Sequence, residues 1–454
     1  MLGDSHVEQL KTSLRGNLLR PADSDYQGAR QVFNAMIDRH PALIARCLGA
    51  ADVIACVRFA AEHDLPLSIR GGGHSVAGNA VCDDGLVIDL SRMKTIRVDP
   101  SRRVARADPG LTLAEFDWET QAFGLATTLG TISMTGIAGL TLGGGLGWLM
   151  GKHGLACDNL RSVDIVTADG RLLTASADEN ADLFWAVRGG GGNFGVVTSF
   201  EYQLHPLGTV LAGLVAYPMS QAPQVLRFFR EFSAGCPDEL GLMAAMLTLP
   251  DGNAIVGVAG CYSGNLAEGE KVLQPLRSFG SPVADHFQPM PYTQVQKLID
   301  WWAEPGQLHY WKSSFMPTLS DAAVDVMTRF ATHKPAPRSG LGIEYLHGAV
   351  RRVAPDATAF AHRSAPYNFL MLGSWSSPAQ TENGMRWVRE FWDAMGPSLE
   401  AGVYVNYLSA GEGDDRIRGA YGANYDRLLK IKQKYDPTNL FRINQNIRAS
   451  QPVA

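Results

Sequence analysis

The sequence predicts an α+β protein built from two main domains, on three observations. Its 454 residues exceed one typical domain of roughly 100–200 residues, so it can bury more than one core and a large cofactor. The first two hundred residues mix short strands, helices and dense glycine clusters. Beyond Pro206 and Gly208 the texture changes to longer strands and amphipathic helices such as "QVLRFFREFS" and "GMRWVREFWDAM", with few glycine clusters, as far as about residue 400.

In chain order, "ALIARCL" reads as a strand, "ADVIACVRFAAEHD" has helical apolar spacing and "LPLSIR" is a second strand, together a βαβ unit that ends at glycines. "GLVIDLS", "TIRVD" and "RVARADPG" follow as short strands, and "LTLAEFDWETQAFG" as a helix closed by Gly124. Residues 130–160 are too glycine-rich for one long helix and too apolar for an exposed loop, which suits a cofactor cradle. "SVDIVTADGRLLTAS" is a hairpin turning at Asp169-Gly170, "ADLFWAVRG" a short helix and "GVVTSFEYQLHPL" a strand. In the tail, "NYDRLLKIKQKY" is a helix stopped by Asp436-Pro437.

Composition excludes several function classes. A net charge of -5 gives no basic surplus for nucleic acid. No apolar run reaches the roughly 18 residues of a membrane span, and the N-terminus carries charges where a secretory signal needs an apolar stretch. The six cysteines are dispersed without a CxxC pair and the histidines are scattered, so no metal site is expected and a reduced, cytoplasmic setting is.

The 48 glycines exceed the usual share of about 7% and gather in "RGGGHS", "LTLGGGLGWLMG" and "RGGGGNFG". "GGGNFG" satisfies GxGxxG, but a helix precedes it and a strand follows. That reverses the order in which a dinucleotide fold presents a helix N-terminus to pyrophosphate, so a nicotinamide site is not supported. Backbone amides freed of side chains still form an anion-binding concavity. Arg70 and Arg188 flank two clusters, as anion partners or as members of structural ion pairs. His74 follows three glycines on a loop, where it is an exposed turn residue, a base, a ligand or a covalent anchor.

"SIRGGGHSVAGNAV", "GTISMTGIAGLTLGGGLGWLMGKHGLACDNLRSVDIVTADG", "DLFWAVRGGGGNFGVVTSFEYQL" and "NYDRLLKIKQKYDPTNLFRINQNI" resemble the FAD-linked oxidases of the vanillyl-alcohol-oxidase fold (PCMH-type FAD-binding domain), in the berberine-bridge-enzyme-like branch. The resemblance implies an FAD-binding domain made from both chain ends, 1–207 and 403–454, with an inserted α+β substrate domain at 208–402. It implies one covalent bond from His74 to the benzenoid methyl group of FAD, and a diphosphate cradle of Gly71, Gly72, Gly73, Ser75 and Gly78 beside Arg70. The matching motifs extend the cofactor contacts to Thr131, Gly136, Gly139, Gly143, Gly144, Asn193, Gly195, Val197, Asn444 and Asn446. Many relatives carry a second anchor, a cysteine where this chain has Ile132, so a single link is implied; Cys157 is read as a small buried hydrophobe. Ile137 matches a position governing oxygen access, and a β-branched residue there resembles the oxygen-using members.

The same resemblance assigns the base to Tyr407 in "VYVNYLSA" and places Asn368, in "HRSAPYNFLMLGSW", over the flavin, where some relatives have a carboxylate. Alternation sets Asn368, Leu370 and Leu372 on one strand face, and sets Tyr407 and Val405 opposite Tyr404 and Asn406. A phenol with pKa near 10 is a poor base at neutral pH, so the site must favour its phenolate or couple proton loss to hydride departure. Tyr345 and His347 are further pocket candidates, and Trp301, Trp302, Tyr310 and Trp311 line a pocket or belong to the core. The expected function is FAD-dependent oxidation of a small-molecule substrate at a carbon bearing a hydroxyl or amine, with dioxygen as acceptor. The alternatives are a dehydrogenase serving another acceptor and a flavin-bearing binding protein without turnover.

Overall fold

The computed structural model describes residues 3–449; the first two and last five residues assigned to the cofactor domain lie outside the described residues. A four-stranded sheet of β1 (Asn17–Leu19), β2 (Leu43–Arg46), β3 (Leu67–Arg70) and β4 (Leu86–Asp89) has the order β1-β2-β4-β3. The βαβ unit is present, with β2 and β3 both parallel to the interposed β4 and the helix Ala50–Glu62 between them in sequence. Next to it lies an antiparallel sheet of β5 (Ile96–Asp99), β6 (Val104–Ala107), β8 (Leu160–Val166), β9 (Leu172–Ser176) and β10 (Val196–Gln203), ordered β5-β6-β10-β8-β9. β7 (Leu125–Ala126) pairs with β11 (His205–Pro206), from which the chain enters the inserted region.

That region is one antiparallel sheet. Its strands are β12 (Val210–Pro218), β13 (Leu240–Thr248), β14 (Ala254–Tyr262), β15 (Ala284–Asp285), β16 (Gln288–Met290), β17 (Leu308–Met316), β18 (Gly340–Tyr345) and β19 (Tyr367–Trp375). The order is β15-β12-β14-β13-β18-β19-β17, with β16 also on β12. Period-two alternation gives the sheet two apolar faces with different duties. Leu242, Ala244, Leu341, Ile343, Tyr345, Phe369 and Met371 pack beneath the helices Ala222–Ala234, Asp321–Thr332 and Thr381–Met395. The neighbouring positions Met243, Gly342, Glu344, Leu370 and Leu372 face the cavity described below.

From Val403 the chain returns to the first unit, where Val403, Tyr421, Tyr425, Leu428 and Ile447 join Phe116, Phe194 and Phe200 in one core. The helix Tyr425–Tyr435 stops at Asp436, as Asp-Pro requires. Buried Lys432 donates to the Asn193 and Phe441 carbonyls at 2.9 Å each and to Asp436 at 2.6 Å, while Asp436 accepts from the Leu440 and Phe441 amides. This knot fixes the tail against the glycine turn at 190–195. Residues 130–160 hold two short α-helices, Ile137–Leu142 and Met150–His153, separated by the glycines of 143–147, and a 3-10 turn at Ala156–Asn159.

The helix Leu113–Gln121 starts in a reciprocal Thr112/Glu115 capping box and carries Asp117 into the packing against 292–296. Both Asp117 carboxyl oxygens are buried without a well-formed hydrogen bond, and so are the polar atoms of Gln296 and Tyr292. Burial drives this carboxyl well above the usual carboxylate range, against a smaller opposing effect of Gln296, so it is held neutral. The unfolded chain releases that proton near pH 3.9. Folding is therefore opposed progressively as pH rises above that value. Asp117→Asn should raise the melting temperature by a few degrees at pH 7–8, with the gain fading toward pH 4, in a scanning-fluorimetry pH series.

Candidate active site

A long cavity begins between the first two sheets and ends under the inserted sheet. Its inner wall comes from the expected motifs: Gly71, Gly72, Gly73, His74 and Ser75, then Thr131, Gly136 and Gly139, then Gly195 and Val197, and Asn444 from the tail. Close approach explains why glycine stands at 72 and 136. A Cβ on Gly72 would sit 2.5 Å from the Gly136 nitrogen, so the two segments meet backbone to backbone. Gly73 adopts φ +68°, which turns the chain so that His74 enters the cavity.

Other expected contacts lie behind this wall. Arg70 donates to the Ala29 carbonyl on the far side of the glycine loop, and Gly78 packs on Ile37. Gly143 accommodates the Asn406 side chain and Gly144 the Phe360 ring. Asn193 is a buried clamp, donating to the Gly190 and Gln445 carbonyls and accepting from the Ile447 amide. Asn446 is off the wall, with its Oδ1 buried and unpartnered. Among the described residues Arg188 makes no ion pair: it donates to the Phe184 and Ala357 carbonyls and lies over the Phe184 ring. Cys157 is fully buried beside Leu146 and Leu155, with its thiol pushed up by burial, and Ile137 is core, while Ile132 lines the cavity.

The residues on the wall fit FAD. His74 Nε2 is buried without a hydrogen-bond partner, and burial lowers the imidazole to about 4, leaving a neutral ring. Phe33 stacks on that ring at 3.9 Å and on His309 at 4.5 Å, a support that spacing along the sequence gave no means of finding. Gly139 and Gly192 face open space, and Asn444 leaves its Oδ1 unpartnered at the same wall.

At the far end the geometry departs from expectation. "VYVNYL" is not a strand; Val405–Tyr407 is a 3-10 turn closed by the Tyr407 amide donating to the Tyr404 carbonyl. A three-residue period puts Tyr404 and Tyr407 on one side. Their rings lie 4.9 Å apart and both line the cavity. The Tyr404 hydroxyl accepts from the Gly145 amide at 3.0 Å and from Asn406 at 2.7 Å, tying the turn to the glycine loop.

Asn368 does not reach the cavity wall. It faces the same way as Leu370 and Leu372, yet is fully buried behind the wall. It donates to Glu344 Oε2 at 2.6 Å and accepts from Ser313 at 3.2 Å. Glu344 lies directly across from it in the β18–β19 register. The Tyr407 hydroxyl donates to Glu344 Oε1 at 3.0 Å. Burial, and after it the nearby carboxylate, push the Tyr407 phenol well above 10, so this structure does not favour its phenolate. Burial raises Glu344 to about 7, against smaller opposing effects of the Asn368 and Tyr407 hydrogen bonds. Tyr345 and His347 point away, into the helix-covered core and toward the Pro237 carbonyl. Trp302 and Trp311 line the cavity with Met243, Ile299, Leu370 and Leu372.

Among the described residues no cluster able to hold a metal occurs, and no helix is long and apolar enough to cross a membrane. Residues 41–176 match the FAD binding domain family, and 403–448 the berberine and berberine-like family. The chain is 33% identical to (R)-6-hydroxynicotine oxidase of Paenarthrobacter nicotinovorans, over 96% of this chain and 97% of that protein. It is 31% identical to xylooligosaccharide oxidase of Thermothelomyces thermophilus, over 92% and 89%. The crystal structure of 6-hydroxy-D-nicotine oxidase from Arthrobacter nicotinovorans superposes with a TM-score of 0.87 at 30% identity, covering 96% of this chain and 98% of that one.

Proposed function

The chain belongs to the FAD-linked oxidoreductases of the berberine-bridge-like family, and from that premise we propose that it oxidises a small molecule at a carbon bearing a hydroxyl or amine, with Glu344 and Tyr407 as the proton-accepting pair. FAD, when bound, supplies the two-electron hydride acceptor. The observation that carries this reading is the chain Ser313–Asn368–Glu344–Tyr407, which brings a carboxyl of pKa about 7 to the cavity wall. A general base works best with its pKa near the operating pH, which favours Glu344 over a phenol held above 10. Tyr407 orients the substrate heteroatom and passes its proton to Glu344, and Asn368 positions the carboxylate. Dioxygen as acceptor is supported by the relatives named as oxidases, and a cytoplasmic location by six free cysteines. Reduced enzyme mixed with aerated buffer should reoxidise rapidly and release hydrogen peroxide; slow reoxidation would favour a dehydrogenase.

His74 is the proposed covalent anchor, its neutral ring and unpartnered Nε2 supporting the role. A single link agrees with Ile132 on the wall and Cys157 in the core. Acid-precipitated wild type should stay yellow, and His74→Ala should release all its flavin and show a lower redox potential, because attachment at the benzenoid ring withdraws electron density. Flavin found entirely in the wild-type supernatant would end this assignment.

A further inference from the structure

The cavity wall carries one carboxylate and, among the described residues, no lysine or arginine. Among the described residues the hydrogen-bond partners of Glu344, Asn368 and Tyr407, are both neutral. The remaining titratable group near it is Tyr404, another phenol raised by burial. On β17, Lys312 has the opposite parity to the wall residue Trp311 and pairs with Glu412, and His309 stacks on Phe33. The turn that brings Tyr404 and Tyr407 contributes no cation, nor do the wall positions of β13 and β19. Buried charges are ordinarily paired, because an isolated ion in an apolar setting is costly. The surroundings at this end are aromatic and aliphatic, with Trp302, Trp311 and Tyr407 beside Met243, Leu370 and Leu372. Such a wall offers ring faces to a cation and few hydrogen-bond partners to the many hydroxyls of a saccharide.

We infer that the substrate is an amine on an apolar framework, bound in its protonated form with Glu344 as its counter-ion. The inference rests on the proposed function, in which this end of the cavity receives the substrate. The chemistry balances: an N–H proton passes from the ammonium through the Tyr407 hydroxyl to the Glu344 carboxylate, and the hydride of the neutral amine's α-carbon would go to FAD, the two-electron acceptor this fold would hold, leaving an iminium. The burial that holds Glu344 near pH 7 makes its charge, and with it ammonium binding, disappear in mild acid.

The test uses holoenzyme and two probes without a transferable N–H proton, benzyltrimethylammonium and its uncharged isostere neopentylbenzene, titrated by tryptophan fluorescence. At pH 8 the wild type should bind the cation about tenfold or more tightly than the isostere. The preference should shrink severalfold at pH 5.5, and at both pH values in Glu344→Gln, to what the aromatic ring faces alone supply; retained FAD content and melting temperature of the variant report on folding. Equal binding of the two probes by wild type at pH 8, or a preference that survives undiminished in Glu344→Gln, overturns the inference. Because no turnover is involved, these outcomes separate from failure of the proposed function. An enzyme whose flavin is reduced by alcohols and which shows no cation preference would keep that function and lose the amine.

Discussion

Tyr407→Phe should slow anaerobic reduction of the flavin by roughly 100- to 10,000-fold, the loss typical of removing a group that handles the proton in the transition state. The ring is retained, so its edge contact with Trp311 at 6.0 Å and with Tyr404 at 4.9 Å survives. What disappears is the hydroxyl that reaches Glu344 at 3.0 Å. Substrate affinity should change far less than the reduction rate, which distinguishes a lost proton path from a lost binding contact. Stopped-flow reduction at saturating substrate measures the effect; an unchanged rate would remove Tyr407 from the mechanism. Tyr404→Phe is no neutral control, since Tyr404 shares the wall and its hydroxyl anchors Gly145 and Asn406.

The second large effect is expected from Glu344→Gln, a near-isosteric change whose single amide oxygen can still accept from Asn368 while its NH2 must donate to the Tyr407 oxygen instead of accepting from it, and which cannot take up a proton. Flavin reduction should again fall by roughly 100-fold or more. Residues that work as a unit give non-additive losses, so the double variant Tyr407→Phe/Glu344→Gln should be little slower than the worse single one. Rates that multiply would mean that the two residues act independently, against the direct hydrogen bond between them.

The cofactor end of the site was readable because its signal is local. Consecutive glycines allow close backbone approach, and the 72–136 contact is the geometry those residues permit. Strand alternation likewise gave the facing of Asn368, Leu370 and Leu372. The catalytic end was harder to read because its signal is non-local. Glu344 and Asn368 meet only when β18 and β19 pair in register, although a lone carboxylate in the apolar run "GLGIEYL" was a clue, since charged residues are seldom buried without purpose. The "VYVNYL" segment misleads because its apolar alternation reads as a strand where the chain makes one 3-10 turn, which brings Tyr404 to the cavity instead of the far face. Phe33 lies 41 positions from His74 in the sequence, and nothing in either segment foretells their stacking.

The most direct test of the Glu344–Tyr407 pair is the pH dependence of the limiting rate of flavin reduction, measured anaerobically in wild type and Glu344→Gln. The proton acceptor must be ionised, and burial holds Glu344 at about 7, so the wild-type rate should climb through that value and level off above it. In Glu344→Gln the residual rate should lose that inflection. A wild-type inflection that persists unchanged in Glu344→Gln, or a wild-type rate that is flat from pH 5.5 to 8.5, would contradict the account.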